Sequence, residues 1–305
     1  MSSSDGNSTK VILIALFANL GIAITKLTGS FFTGSASLLA EAIHSLADCT
    51  NQIFLLIGAK KSQKPADEHF PLGYGRESFF WSFMVAILLF SMGGLFAIYE
   101  GYHKLSDLES TLKYPYVALA ILLISIVLEG GSFIACLKEV KKHNTYANLW
   151  IWFRKSTASD LVVIFIEDLA ALVGLVTATI FLLLAILTDN ILWDAVGSIF
   201  IGFILVIVSI LLAREVKSLI VGEKSSKDYK DTLLKLFQQE NPEIKIFKII
   251  SLATGSNEVM IAMKISSGTF IKSQELIEAI NRVEVKIKSQ FAEIKWLFIE
   301  PDDKE

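Results

Sequence analysis

The residues best suited to chemistry in this chain lie where charge is hardest to place. An apolar stretch of span length, Ser37–Ala59, opens Ser37-Leu38-Leu39-Ala40-Glu41-Ala42-Ile43-His44-Ser45-Leu46-Ala47-Asp48. A charge at a bilayer centre costs at least ~2.5–3.5 kcal/mol, so each one asks for a reason. His44 and Asp48 are four residues apart, hence on one helix face with Cβ atoms about 5–6 Å apart. Zinc bonds to imidazole nitrogen and carboxylate oxygen are ~2.0–2.2 Å long, so one ion can bridge the pair. The competing reading is a His–Asp hydrogen bond locking two helices together; ionisable groups inside apolar spans are functional by default, which favours the metal.

A second acidic point follows in Val162-Val163-Ile164-Phe165-Ile166-Glu167-Asp168. Neighbouring residues diverge by about 100° around a helix, so only one of Glu167 and Asp168 can meet His44 and Asp48. The other faces a polar neighbour or a cavity. One imidazole and two carboxylates suit a divalent transition metal, with water or Glu167 as fourth ligand. Glu41, one turn before His44, either lines the route to this point or reaches the interface. Glu129 and Asn51 read as supporting partners, Lys26 as a side chain snorkelling to the interface, and Cys49 as core. His103 and His143 have no spaced partner and receive no role.

The elements that must position these groups are membrane helices. Of 305 residues, 53% are apolar and the mean hydropathy is +0.55. The excess is concentrated between Val11 and Ala213, while Lys217–Glu305 has soluble composition. Six stretches reach the roughly 20 residues a span needs: Val11–Phe32, Ser37–Ala59, Phe79–Tyr99, Tyr114–Leu137, Leu161–Leu187 and Ile191–Ala213. Residues 1–10, polar and Ser-rich, read as a disordered tail rather than a signal peptide. Lys10, the cluster Lys60, Lys61, Lys64 and Arg76, the cluster Lys138 to Lys155, and Arg214 with Lys217 all fall on one side. The other side has only Lys104 and Lys113, so the positive-inside rule puts both termini in the cytoplasm. Two cysteines inside apolar stretches predict neither a disulfide framework nor a zinc knuckle. The formal charge of −3 hides the split between the two halves and says nothing of partners; no basic tract or aromatic-interleaved basic face suggests nucleic acid, and none is expected as a partner.

Residues 214–224 read as a linker, and residues 225–305 carry short periods. Tyr229, Leu233, Leu236 and Phe237 suit a helix, Ile244–Leu252 and Glu258–Ile265 suit strands flanking a turn at Thr254–Asn257, Leu276, Ile280, Val283 and Ile287 suit a second helix, and Ile294–Ile299 a last strand. The expected fold is an α-helical polytopic membrane protein with six transmembrane helices, 11–213, and a small C-terminal cytoplasmic α+β domain in the order helix–strand–strand–helix–strand.

This combination resembles the cation diffusion facilitator family of zinc transporters. The more specific carriers are Pro65-Ala66-Asp67-Glu68-His69-Phe70-Pro71-Leu72-Gly73-Tyr74-Gly75-Arg76-Glu77, between the second and third spans, and Arg214-Glu215, Ser218-Leu219 and Gly222-Glu223 leaving the sixth. The resemblance covers nearly the whole chain. It implies a homodimer in a lipid bilayer that exports Zn²⁺ from the cytoplasm in exchange for protons by alternating access, without an organic cofactor and without catalysis. It implies His44 and Asp48 as the ligand pair of the second span and Asp168 as the acidic ligand of the fifth. Ile164 stands where many relatives carry His or Asp, and Glu167-Asp168 instead resembles the branch containing the mitochondrial zinc transporter of animals. That leaves the fourth ligand between Glu167 and water. Asp67 and His69 match two ligands of a second family site, although Tyr74 replaces a frequent His. The tail has no His or Cys, so it should fold without metal and serve dimerisation. The alternatives are the same machine carrying Mn²⁺, Fe²⁺ or Co²⁺, or a membrane metalloenzyme. A bacterial inner membrane is the expected location, with an organellar membrane as the alternative.

Overall fold

The computed structural model describes residues 5–106, 112–143, 148–225, 227–266 and 273–302. Four long rods, α1 (Asp5–Thr33), α2 (Ala36–Ser62), α5 (Pro115–His143) and α7 (Ser159–Thr188), are joined in a bundle by α8 (Leu192–Val221) and by a rod built from α3 (Glu77–Leu88), a π-helical stretch Leu89–Leu95 and α4 (Phe96–Ser106). The rods Glu77–Ser106, Pro115–Lys142, Ser159–Thr188 and Leu192–Val221 are long and apolar enough to cross a bilayer. The chain is therefore an integral membrane protein. α2 is also of spanning length, 27 residues or about 40 Å at 1.5 Å per residue, but Glu41, His44, Asp48 and its closing Lys60 and Lys61 dilute its apolar character.

Several boundaries differ from the sequence expectation. Residues 5–10 of the expected tail are helical backbone in α1, and residues 1–4 lie outside the described residues. α8 runs through most of the expected linker because Val216 and Leu219 stay buried in the bundle core; Gly222 then ends it at φ 121°, a conformation that disfavours any side chain. The rod Glu77–Ser106, expected as the third span, is not one regular helix. Its π stretch holds Gly93 and Gly94 where it crosses α8, and a Cβ on Gly94 would stand 2.6 Å from Val206 Cγ2. Close backbone approach through small residues is the usual way membrane helices pack. A short helix, α6 (Leu149–Lys155), was not expected: Asn148 caps it by accepting from the Trp150 amide at 2.8 Å, and Trp152 and Phe153 enter the core beside Phe165.

One polar junction fixes α2 to α8. Asp194, fully buried in the first turn of α8, accepts hydrogen bonds from Ser35 Oγ (2.8 Å), the Ala36 amide (2.5 Å) and the Ser37 amide (3.4 Å). Ser35 is itself the N-cap of α2, accepting from the Leu38 amide. A carboxylate at a helix N-terminus satisfies orphan amides and complements the dipole.

The tail has the expected order: α9 (Lys230–Glu240), β1 (Ile246–Gly255), β2 (Glu258–Ser266), α10 (Ser273–Gln290) and β3 (Ile294–Asp302). β1 and β2 pair antiparallel as a hairpin, and β2 and β3 pair parallel, as the α10 crossover requires. Val259, Ile261, Met263 and Ile265, alternating on β2, meet Leu233, Phe237, Val283 and Ile287 in one core. The β1–β2 turn touches the bundle: Ser256 Oγ lies 3.1 Å from Ser78 Oγ and 3.3 Å from Ser159 Oγ, at the N-terminal ends of α3 and α7.

Candidate metal site

α2 carries the polar face that the sequence marks. Glu41, His44, Asp48 and Gln52 succeed one another at helical spacing, and their polar atoms share one property. Both oxygens of Glu41, both ring nitrogens of His44, Asp48 Oδ1 and Gln52 Oε1 are buried without a hydrogen-bond partner. Unsatisfied buried polar atoms are rare in folded proteins and point to a ligand or a functional role. His44 Nδ1 stands 3.7 Å from Asp48 Oδ1, and a Cβ built on Gly93 of the π stretch would lie 3.7 Å from the same nitrogen. π-helical turns occur frequently at functional sites.

Asp48, Glu167 and Asp168 line one cavity of about 270 Å³ between α1, α2, α5 and α7, together with Asn19, Ser45, Gln52, Glu129, Ser132, Ile164 and Ala171. His44 is not part of its wall. The 100° step does not keep the adjacent carboxylates of α7 out of one cavity, but their partners differ: Glu167 is buried and accepts from Asn51 Nδ2 at 2.5 Å, whereas Asp168 accepts, among the described residues, from the Ser132 hydroxyl at 3.5 Å. Ile164 lines the same wall, so the side chain replacing the frequent His or Asp faces the cavity without offering it a donor. No three His, Cys, Asp or Glu side chains among the described residues are grouped to hold an ion. The structure thus brings Asp48, Glu167 and Asp168 to one cavity, with His44 directly behind Asp48.

Three charged residues outside the expected set belong to this region. Lys26 does not snorkel: it is fully buried, donating from Nζ to Ser45 Oγ at 2.8 Å, with Glu41 Oε2 at 3.5 Å and Glu129 Oε1 at 3.9 Å. Glu41 is not among the residues that line the cavity and is fully buried, with its carboxylate packed directly on α7 at Gly174. Glu129 is a wall residue. The clue in the sequence was the lone cation inside an apolar stretch that also faces lone carboxylates, since buried charges are kept only when paired. Cys49 is core, as expected.

The loop between α2 and α3 holds Asp67 and His69 in one exposed turn. Asp67 Oδ1 accepts from the His69 amide (3.0 Å) and the Phe70 amide (2.8 Å), and Oδ2 accepts from the Tyr74 hydroxyl (2.7 Å). The Tyr74 hydroxyl, and then the Phe70 amide, hold this carboxyl below its ordinary range. Both of its oxygens serve to close the loop, and Tyr74 is the residue that uses the second.

The profile of the cation efflux transmembrane domain matches residues 12–221. The chain is 26% identical over 287 residues to Metal tolerance protein C4 of Arabidopsis thaliana, covering 92% of this chain and 62% of that protein. It is 27% identical over 285 residues to the mitochondrial proton-coupled zinc antiporter SLC30A9 of Xenopus laevis, covering 90% and 50%. It is 26% identical over 302 residues to the manganese efflux system protein MneP of Bacillus subtilis, covering 96% and 95%. The chain thus spans between half and two thirds of the length of the first two relatives and nearly all of the third.

Proposed function

Because the chain belongs to the cation efflux family, we propose that it is a divalent-metal exporter, carrying Zn²⁺ in exchange for protons by alternating access. It is read as six spans with both termini cytoplasmic and as a homodimer joined in part through the tail. The observation that carries the reading is the convergence of Asp48, Glu167 and Asp168, from α2 and α7, on one cavity inside the bundle. His44, buried with both nitrogens unbonded behind Asp48, supplies the imidazole that distinguishes a transition-metal site from an all-oxygen one. A carrier must release its ion, so its ligands gather in one state and part in another. Among the described residues Asp168 faces the cavity with one weak partner, Ser132, and Glu167 is tied to Asn51; this supports Asp168 as the ligand and Glu167 as its neighbour.

Exchange with protons follows from ligand chemistry. Carboxylates and imidazole bind metal only when deprotonated, so an arriving ion displaces protons and arriving protons displace the ion. Relatives named for zinc and for manganese fit an oxygen-rich set, which discriminates weakly between the two; Mn²⁺ transport on the same residues is the second reading. In the loop, the geometry supports a loop-closing role for Asp67 over metal binding.

The test is ion flux into proteoliposomes of the purified chain, across Zn²⁺, Mn²⁺, Fe²⁺ and Co²⁺, with and without a pH gradient. Zn²⁺ flux should rise with an opposing proton gradient and disappear in Asp168→Asn. Flux indifferent to the gradient would replace antiport by uniport, and undiminished flux in Asp168→Asn would remove the site.

A further inference from the structure

Lys26 lies where an unneeded cation would not be left. Its stem is long enough to carry the charge towards water from many positions, and taking an ammonium out of water is costly. Yet it is fully buried at the seam of α1, α2 and α5, with a hydroxyl and two carboxylates around it. Two of those three groups, Ser45 and Glu129, also form the wall of the metal cavity. The ammonium therefore stands just behind that wall, facing a carboxylate that a mobile ion could otherwise use.

The cavity has four acidic wall residues, Asp48, Glu129, Glu167 and Asp168. Two are claimed by the protein itself: Glu167 by the Asn51 amide, Glu129 by the Lys26 ammonium. Two remain for an ion, and two carboxylates balance one divalent charge. A third anionic ligand would hold the ion more tightly, and a carrier that holds too tightly cannot release.

We infer that Lys26 sets the metal affinity of this cavity as a tethered cation, occupying Glu129 so that, of the wall carboxylates, the transported ion engages only Asp48 and Asp168. Lys26 is thus a positioning residue that acts through Glu129. The inference rests on the metal reading of the cavity given above.

The experiment measures Zn²⁺ and Mn²⁺ binding to the purified full chain by titration calorimetry, with flux in proteoliposomes as the second readout. Lys26→Met frees Glu129 and should tighten Zn²⁺ binding about tenfold, within the range of coupling between neighbouring charged groups, while slowing turnover. Glu129→Gln alone should leave the affinity within about twofold, and Lys26→Met/Glu129→Gln should return it to that range. A large loss of affinity in Glu129→Gln would make Glu129 a ligand already and overturn the inference, as would unchanged affinity in Lys26→Met or a double variant still binding tightly. Should Lys26→Met fail to fold, Lys26→Gln, which removes the charge and keeps a donor for Ser45, carries the same expectation, and unchanged affinity there overturns the inference. Asp168→Asn is the control: loss of Zn²⁺ binding there, with wild-type affinity in Lys26→Met, condemns only the role of Lys26, whereas retained binding in Asp168→Asn removes the cavity as the metal site and the inference with it.

Discussion

Asp194→Ala is the sharpest test of how the bundle holds α2 in place. The carboxylate is fully buried and accepts from Ser35 Oγ, the Ala36 amide and the Ser37 amide at 2.8, 2.5 and 3.4 Å. Alanine leaves those donors without acceptors at the positive end of α2. Hydrogen bonds to a charged acceptor contribute about 1.5–3 kcal/mol each, and the longest of the three the least. The bonds are not additive, so a total loss of about 3–5 kcal/mol is expected, in the range found when one partner of a buried charge interaction is removed. At about 2 °C per kcal/mol for a chain of this size, the thermal midpoint should fall by about 6–10 °C. Asp194→Asn keeps the shape but presents an NH₂ where the neighbours are all donors, so it recovers only part of the loss. Ser35→Ala, which removes a single hydroxyl, should cost about 1 kcal/mol. His44 lies about 13 Å along the same helix at 1.5 Å per residue, so a loosened α2 also blurs the site, and Zn²⁺ flux should fall in step with stability. The assay is thermal unfolding of the purified protein followed by size-exclusion chromatography, with flux measured on the surviving fraction. A midpoint within about 2 °C of the parent, less than 1 kcal/mol on that scale, would refute the argument that this carboxylate anchors α2.

Two further outcomes follow from the loop and the tail. Asp67, held below the ordinary carboxylate range by the Tyr74 hydroxyl, contributes to loop order that is present above its unfolded pKa of about 3.9 and is lost as pH falls through the lower folded value. Tyr74→Phe should move the Asp67 titration seen by carboxyl NMR upwards, and an unmoved midpoint would show that the hydroxyl is not the cause. In the tail, Ile261 is fully buried among Leu233, Phe237 and Val283, so Ile261→Ala should cost about 2–5 kcal/mol. The loss should be the same with or without chelator, and rescue by added Zn²⁺ would contradict a core assembled from apolar residues alone.

How much of this was legible beforehand follows the range of the interactions. Apolar runs and periods are local, so the rods α5, α7 and α8, the tail's order of elements, and the shared face of His44 and Asp48 could be read from neighbours in the chain. The 100° step predicted that only one of Glu167 and Asp168 would reach Asp48, whereas both line its cavity and differ in the partner each has there. What the sequence could not contain was the rotational phase of one helix against another. That phase turned Lys26 inward onto Ser45, Glu41 and Glu129, set Glu129 in the cavity wall, and placed Asp194 under the first turn of α2. It also laid Gly94 against α8, where the third span departs from regular helix. Each of these joins residues far apart in the chain, and a charge inside an apolar stretch announces only that it must be paired; its partner is chosen by packing.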